Sequence, residues 1–172
     1  LGGKEEELVH NHHNYAWKEV HGGEEWVVVR KGATPAFPGQ KGFVGGSMGD
    51  DAVILQGTVH TDAETRAMQE AALFSTVHGA GRVMSRRKAL GKVNRKTGEV
   101  IEPGQVTQGV MKKWVKQKGV ILRGGGLDES PHVYRRLPEV LEAQGPTIQV
   151  LHTLKPLIVV MAGADEFDPY KD

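Results

Sequence analysis

Glycine is the residue type that most restricts what this chain can fold into. The 172 residues include 23 glycines, about twice the share in an average soluble protein. Glycine is disfavoured inside helices and strands, and it is selected where the backbone turns sharply or approaches a ligand closely. The sequence therefore predicts many turns, or backbone packed closely against a ligand.

Composition excludes several classes of protein. Hydrophobic residues make up 38% and charged residues 25% of the chain, as in ordinary globular domains, and no apolar run approaches the roughly 20 residues of a transmembrane helix. Membrane-spanning and disordered classes are therefore excluded. The lack of cysteine excludes disulfide scaffolds, thiolate zinc sites and cysteine nucleophiles, and it is compatible with the reducing cytoplasm, which is the expected location. Because the net charge is only +1, a nucleic acid would have to be held by a local basic patch.

Hydrophobic patterning predicts one compact α+β domain with mixed sheets and a few helices. Apolar, β-branched runs bounded by turn residues are typical of strands. The predicted strands cover residues 25–29, 53–55, 120–122, 148–154 and 157–161. The first is expected to be buried, and the last two are expected to be neighbours. Residues 33–49, with two prolines and five glycines, are predicted to form an ordered loop.

Three helices are predicted from their terminal signals. The stretch 61–75 opens with the spacing of a capping box and carries alanines at helical intervals, which predicts a helix with alanine on its inner face. Residues 107–118 form a basic run stopped by glycine, and residues 138–144 have proline in the first turn and glycine just past the end. Both patterns predict helices.

Histidines cluster near the start of the chain, at His10, His12, His13 and, further on, His21. Imidazole is the commonest transition-metal ligand, but the same spacing fits histidines that satisfy turns. Asn14 follows with an amide that donates and accepts hydrogen bonds, which suits a phosphate oxygen or a ribose hydroxyl. The cluster is therefore a candidate metal or nucleotide site.

A second candidate site is the segment His78-Gly79-Ala80-Gly81-Arg82, just after the first predicted helix. Small neighbours leave the imidazole unscreened and let backbone N–H groups approach an anion, and Arg82 can hold a phosphate with two donors. A neutral imidazole can act as a base, or it can attack phosphorus to give a labile phosphoramidate. The alternative is a glycine-rich helix terminus with an incidental histidine.

Two further segments could bind phosphates. Residues 45–49 form a glycine-rich run with one serine, which predicts a backbone cradle. Residues 82–96 contain seven Lys and Arg and no acidic residue, which predicts a local patch for a phosphate backbone. The chain lacks the glycine-rich fingerprints of P-loop and dinucleotide-binding proteins, so a conventional NTPase is disfavoured.

Five sequence blocks stand in a fixed order along nearly the whole chain. They are His12-His13-Asn14-Tyr15 with Lys18-Glu19, Arg30-Lys31-Gly32-Ala33, Gly46-Ser47-Met48-Gly49, the block from His78 to Arg86, and Asp128-Glu129-Ser130-Pro131 with Tyr134. In this order they resemble the motifs of RtcB-type RNA ligases, and the His-Gly-Ala-Gly-Arg sequence is the most specific. The resemblance implies the carboxy-terminal catalytic portion of such a ligase, spanning residues 1–172.

The resemblance implies a GTP- and manganese-dependent reaction. His78 would be guanylylated by GTP, and the GMP would pass to an RNA 3′-phosphate produced from a 2′,3′-cyclic phosphate. A 5′-hydroxyl of the second RNA end would then displace GMP, as in tRNA splicing and RNA repair. Two metal ions would neutralise charge around the reacting phosphates.

The resemblance also implies binding residues. His13 would be a manganese ligand and Asn14 a nucleotide contact, while Arg82 and Arg86 would bind RNA phosphates. The remaining guanylate contacts would come from two glycine-rich segments and the penultimate lysine. They are Gly45, Gly46, Ser47, Met48, Gly79, Ala80, Gly81 and Lys171.

The chain departs from the family in two ways. Ala52 stands where a serine is usual, which removes one hydroxyl contact to the nucleotide. The family's other metal ligands, an aspartate, a cysteine and two histidines, belong to an amino-terminal half that these 172 residues do not contain. We expect that half to be supplied in cis or by a second chain. The natural RNA, a need for an activating protein such as archease, and the roles of His10 and His12 stay open.

Two other functions are alternatives. A non-catalytic RNA-binding module would use the basic residues of 82–96 and 107–118, with structural histidines. A metal-dependent phosphoesterase would use His10, His12 and His13. The first does not explain a histidine among glycines, and the second lacks carboxylates near the histidines.

Overall fold

The computed structural model describes residues 2–94, 96–97 and 99–163. They form eleven strands and four α-helices with parallel and antiparallel pairing, so the predicted α+β class with mixed sheets is confirmed. No helix in this part of the chain is long and apolar enough to cross a membrane. The chain divides into two compact units. Of the described residues, the first comprises those up to Gly45, Ala52–Gly79 and Pro138–Leu154, and the second comprises those of Gly46–Asp51, Ala80–Leu137 and those from Lys155.

The first unit begins with a two-stranded antiparallel hairpin. β1 (Asn14–His21) pairs with β2 (Glu24–Lys31) through a turn of two glycines with positive φ. The strand predicted at 25–29 is confirmed, but its predicted burial is wrong. Within β2 only Val28 and Arg30 are buried, because side chains alternate between the two faces of a strand and only one face of this ribbon is partly covered.

Two more sheets complete the first unit. Their strands are β3 (Ala33–Pro35), β4 (Lys41–Val44), β5 (Ala52–Gly57), β6 (Ser75–Val77) and β10 (Ile148–Leu154). β3 pairs with β6, and the other three form an antiparallel sheet in the order β10-β5-β4. The strands predicted at 53–55 and 148–154 are confirmed. The loop predicted at 33–49 is wrong, because it contains β3 and β4, whose sheet pairing outweighs the local turn propensity of their prolines and glycines.

α1 (Ala63–Ala71) begins in the predicted place and ends early. Its N-cap is Asp62 rather than Thr61, and the carboxylate accepts a hydrogen bond from a backbone N–H of the first turn at 2.6 Å. Leu73 and Phe74 have positive φ, and the chain then enters β6. The predicted extension to residue 75 is therefore wrong, because a right-handed helix cannot continue through two residues in the left-handed region.

The buried face of α1 is polar rather than alanine-lined, contrary to the prediction. Its buried residues are Thr65 and Gln69. The Nε2 group of Gln69 donates to the carbonyl oxygens of Thr58 and Thr147 at 3.0 and 3.1 Å. The helix thus satisfies backbone acceptors of two other segments, a role that hydrophobic periodicity does not detect.

The second unit combines short helices with two strand pairs. Its elements are α2 (Arg86–Leu90), β7 (Gly91–Val93), β8 (Val100–Pro103), α3 (Gln108–Lys118), β9 (Ile121–Arg123) and β11 (Ile158–Val160). β7 and β8 form an antiparallel hairpin, and β9 and β11 pair in parallel. The strands predicted at 120–122 and 157–161 are confirmed. The strand at 157–161 pairs with β9 and does not pair with 148–154 as predicted, because periodicity locates strands without identifying their partners.

α3 confirms the helix predicted at 107–118. Thr107 caps it with a hydrogen bond from a first-turn N–H to Oγ1 at 3.3 Å, and Gly119 ends it in the left-handed conformation, which glycine adopts without strain. α4 (Leu137–Glu142) begins one residue before the predicted 138–144 and ends two residues earlier, and Gly145 opens a 3-10 turn after it.

A small apolar cluster holds the second unit together. Its buried residues are Ala89, Val106 and Val133, packed against Met84, Leu127 and Tyr134. Ala89 lies in α2, and Leu127 opens a 3-10 turn (Leu127–Glu129). The cluster therefore fixes α2, which begins with Arg86, beside the acidic residues of that turn.

Candidate functional site

Two histidines that are distant in the sequence stack in the first unit. The rings of His13 and His78 have centroids 4.8 Å apart and planes within 11° of each other. His13 directly precedes β1, and His78 directly follows β6. The structure thus brings together the residues to which the resemblance assigns metal binding and guanylylation.

Gly32 lies next to both histidines, a position that the sequence alone does not indicate. Its N–H donates to the carbonyl oxygen of His13 at 2.9 Å, and a Cβ built on it would lie 3.6 Å from Cδ2 and Nε2 of the His78 ring. That distance is ordinary contact, so space alone does not require glycine. Its φ of +72° does, because side-chain-bearing residues are strained in that region. The sequence signal that could have pointed to Gly32 is its place directly after a predicted strand and inside one of the family blocks.

Asn14 is oriented by the same glycine. Its Oδ1 accepts from the Gly32 N–H at 3.3 Å, while no hydrogen bond of Nδ2 occurs within the described parts of the chain. The side chain is exposed. Asn14 therefore offers an amide donor next to the stacked histidines, which suits a nucleotide oxygen.

Gly45 and Gly79 bring two chain segments together at His78. They form an isolated parallel bridge, and the Gly45 N–H donates to the carbonyl oxygen of His78 at 3.4 Å. A Cβ on Gly79 would lie 3.2 Å from the Gly45 carbonyl oxygen, which is tighter than ordinary contact. The two glycines thus hold the backbone at His78, and they add no side chain beside the imidazole.

The environment of His78 favours its neutral form. Partial burial lowers the pKa of His78 below its ordinary value, and the neighbouring His13 lowers it further. A neutral imidazole retains a ring nitrogen lone pair, which is the form that attacks an electrophile.

A buried ion pair between Arg30 and Glu19 supports the strands that precede His78 and follow His13. Arg30 is 3% exposed, and its Nη1 and Nη2 lie 2.5 and 3.0 Å from the two carboxylate oxygens of Glu19. The Arg30 Nε also donates to Ser75 Oγ at 2.9 Å, at the start of the strand that ends before His78. His21 bonds to Glu19 at 2.8 Å and stacks on two phenylalanines, so this member of the histidine cluster is structural.

We expect Glu19→Gln to destabilise the protein by about 3 kcal/mol, because removing one partner leaves the buried Arg30 charge uncompensated. Glu25→Gln is the matched control in the same hairpin. Its partner Lys18 is 72% exposed, so the effect should stay below about 1 kcal/mol. Urea unfolding measures both. Equal losses for the two variants would contradict a special role of Arg30.

The same pair predicts a pH dependence of stability. The hydrogen bond from Arg30 is the main cause that lowers the pKa of Glu19. A lowered carboxyl pKa contributes stability above the ordinary pKa of about 4.3, and this contribution is lost as the pH falls towards the folded-state pKa. The difference in unfolding free energy between wild type and Glu19→Gln should therefore shrink below about pH 4.

The serine-containing loop lies in the second unit and is organised by Asp50. Ser47 Oγ donates to Asp50 Oδ2 at 2.8 Å, and the Asp50 N–H donates to the Ser47 carbonyl oxygen at 3.0 Å. Asp50 also accepts from Arg136 Nη1 at 3.1 Å. A Cβ on Gly46 would lie 2.5 Å from a backbone oxygen, so no side chain fits there. Met48 is buried, which does not favour a side-chain role in the predicted guanylate contact.

The remaining predicted site residues are also in the second unit. Ala80 is buried, and Gly81 has a φ of +72°. Arg82 and Arg86 lie beside an open pocket of about 510 Å³ lined by residues 82–87, and both form ion pairs with Glu129. Lys171 lies outside the described residues.

A complete manganese site is not assembled within residues 2–94, 96–97 and 99–163. No group of three His, Cys, Asp or Glu side chains there could hold a metal ion. His10 and His12 contact each other edge to face, and His12 also packs on Tyr15 and Trp17. His13 can offer one imidazole donor, so the described residues do not by themselves fit the metal. The phosphoesterase alternative, which needs three of these histidines as ligands, loses support.

Comparisons with known proteins agree with the resemblance. The family model of the tRNA-splicing ligase RtcB matches residues 3–162. The RNA-splicing ligase RtcB of Escherichia coli K12 is 37% identical over 154 residues, covering 90% of this chain and 32% of the relative. RNA-splicing ligase RtcB homolog 2 of Entamoeba dispar is 34% identical over 171 residues, covering 86% and 29%. The chain therefore spans about a third of the length of these relatives. On this agreement across almost its whole length, the chain belongs to the RtcB family.

Proposed function

We propose that the chain is the His78-bearing portion of an RNA ligase that joins RNA 3′-phosphate or 2′,3′-cyclic phosphate ends to 5′-hydroxyl ends. The stack of His78 on His13, whose carbonyl oxygen accepts a hydrogen bond from Gly32, is the observation that carries the proposal. It places a partly buried imidazole with a lowered pKa among glycines that leave it accessible. The names of the relatives, which are RNA-splicing ligases, support the same activity.

The proposed chemistry begins with a histidine–GMP adduct. A ring nitrogen of neutral His78 attacks the α-phosphorus of GTP, an N–P bond forms, and the bond to the pyrophosphate oxygen breaks. The GMP then passes to the RNA 3′-phosphate, and the 5′-hydroxyl of the second RNA displaces GMP to form a phosphodiester. The adduct step is needed because a phosphomonoester is a poor electrophile without a better leaving group.

Two backbone cradles support guanylate binding. In the first unit, Gly45 pairs with Gly79 next to His78. Within the second unit, the loop from Gly46 to Asp50 contains a hydrogen bond from Ser47 to Asp50. The Ser47 hydroxyl already donates a hydrogen bond to Asp50. We therefore propose that Ser47 serves the nucleotide through its backbone N–H or as an acceptor, rather than as a hydroxyl donor.

His13 is proposed as one manganese ligand, with the other donors coming from outside the described residues. When bound, the metal would neutralise phosphate charge beside His78. The chain's coverage of about a third of its relatives supports an amino-terminal portion as the source of those donors. The proposal also includes broken RNA or tRNA halves as substrates, the cytoplasm as the location, and archease as a candidate activator.

The joining reaction tests this proposal directly. The chain is combined with the amino-terminal portion of the E. coli relative, fused or separate, to give an assembled ligase. With GTP and manganese we expect it to join a 3′-phosphate RNA to a 5′-hydroxyl RNA and to leave a 3′-hydroxyl RNA unjoined, since only the phosphate can accept GMP. Equal joining of 3′-hydroxyl ends in a gel assay would contradict the mechanism.

An RNA-binding module without catalysis is a weaker alternative. It is compatible with the arginine-lined pocket at residues 82–87. It requires only basic side chains and gives no reason for the stacked pair of His13 and His78. The ligase proposal accounts for both features.

A further inference from the structure

Glu129 contacts both of the arginines proposed to bind RNA. Its Oε1 lies 2.9 Å from Arg86 Nη2 and 3.5 Å from Arg82 Nη1. Its Oε2 accepts a hydrogen bond from the Tyr134 hydroxyl, and that hydroxyl in turn accepts from Arg82 Nη1 at 3.1 Å. One carboxylate therefore bridges two guanidinium groups that would otherwise repel each other.

These contacts are partly shielded from water. The side chains of Glu129, Arg82 and Arg86 are 17%, 23% and 34% exposed. Asp128, 2% exposed, lies 3.5 Å from Arg86 Nε. Two acidic groups thus face two basic ones, so the start of the stretch 82–96 is locally balanced rather than strongly positive, as its sequence alone suggested.

The backbone of Arg82, Arg86 and Glu129 is held in place by hydrogen bonds and packing. Arg82 and Tyr134 form an isolated antiparallel bridge, and Arg86 opens α2 directly after its Ser85 cap. Glu129 ends a 3-10 turn that packs on α2 through the apolar cluster of the second unit. The separation of the two guanidinium groups is therefore set by folded structure together with the bridging carboxylate.

The bridged arginines border a space that a phosphate can enter. The pocket of about 510 Å³ is lined by residues 82–87, which include both arginines and Arg87. A phosphate in this pocket would lie beside two arginines whose guanidinium groups are already paired with Glu129. Because Arg86 is the more exposed of the two, it can turn remaining donors to a phosphate while its Nη2 stays on the carboxylate.

We propose that Glu129 is a positioning residue of the RNA site, which holds Arg82 and Arg86 as a paired clamp and competes as an internal anion with the RNA phosphate. The inference rests on the proposed RNA-joining function and deepens it. Glu129 lowers affinity for RNA, because a phosphate must share its arginines, and it sets the geometry that joining requires. Removing its charge should therefore tighten binding and slow joining, two effects that loss of fold cannot produce together.

The binding test uses the 172-residue chain and a fluorescent single-stranded RNA with a 3′-phosphate. We expect Glu129→Gln to lower the Kd about fivefold and to steepen the slope of log Kd against log salt by up to about 0.7, the value of one more phosphate contact. Arg86→Ala should weaken binding. Glu102→Gln is the matched control, because Glu102 pairs with Arg87 of the same stretch at 3.5 Å and is 58% exposed. It should change the Kd less than twofold.

Three results of the binding test would overturn the proposal. Weaker binding by Glu129→Gln, as with Arg86→Ala, would make Glu129 a structural support only. An equal decrease in Kd for Glu102→Gln would show that the effect comes from the change in net charge and not from the position of Glu129. A wild-type chain that does not bind RNA would contradict the proposal that Arg82 and Arg86 form an RNA clamp. None of these measurements involves GTP or His78. A negative result for Glu129 can therefore be distinguished from a failure of the proposed guanylylation.

Two further measurements complete the test. In the assembled ligase, Glu129→Gln should lower both kcat for joining and KM for RNA, whereas unchanged kcat would contradict positioning. If that variant does not fold, the wild-type chain labelled with ¹³C at glutamate carboxylates answers the question. The Glu129 signal should shift when RNA is added and the Glu102 signal should not, and a static Glu129 signal would overturn the proposal.

Discussion

Replacing His78 by alanine should abolish covalent labelling of the assembled ligase by GTP. The adduct requires a ring nitrogen within reach of the α-phosphorus, and alanine removes the nucleophile outright. The label is GTP carrying ³²P at the α-position, with manganese present, and the readout is radioactivity that stays with the protein under mildly alkaline denaturing conditions. We expect at least a thousandfold loss, on the order of that seen when a catalytic nucleophile is removed.

His60→Ala is the matched control for this experiment. His60 is exposed and lies outside both candidate cradles, so its replacement should leave labelling at the wild-type level. The bond type gives a second criterion, because a phosphoramidate is cleaved in acid and a phosphoester is not. A label that persists in His78→Ala, or one that resists acid, would contradict guanylylation at His78.

Local signals predicted the helices better than the sheets. α3 follows from its own ends, because Thr107 caps the first turn and Gly119 takes the left-handed conformation. The end of α1 cannot be predicted from local signals in this way, because Leu73 and Phe74 adopt positive φ there. Their conformation is set by the start of β6 and by the buried Arg30, which donates to the Leu73 carbonyl oxygen, rather than by neighbours in sequence. Strand pairing is likewise a long-range choice, which explains why the partner of residues 157–161 was mistaken.

The resemblance names candidate site residues, but it does not indicate the contacts that support them. The resemblance singled out His13 and His78, and no spacing rule could have placed their rings 4.8 Å apart. Gly32 and Glu129 were visible within family blocks, yet their roles depend on a backbone conformation and on two arginines brought together by folding. Sequence reports which groups are present, and the contacts that tune them appear only in three dimensions.

The chain by itself should form no detectable GMP adduct. Its described residues offer His13 and no complete set of metal ligands, and a defined metal site needs several ligands held by supporting contacts. Without bound metal, the charge of the triphosphate opposes attack by His78, and charge neutralisation of this kind is worth several kcal/mol of transition-state stabilisation. Adding the amino-terminal portion of the E. coli relative should restore labelling, whether it is fused or supplied as a separate polypeptide. Robust GTP-dependent labelling of the purified 172-residue chain would overturn this expectation, and it would assign the missing ligands to His10, His12 or the acidic residues of 164–172.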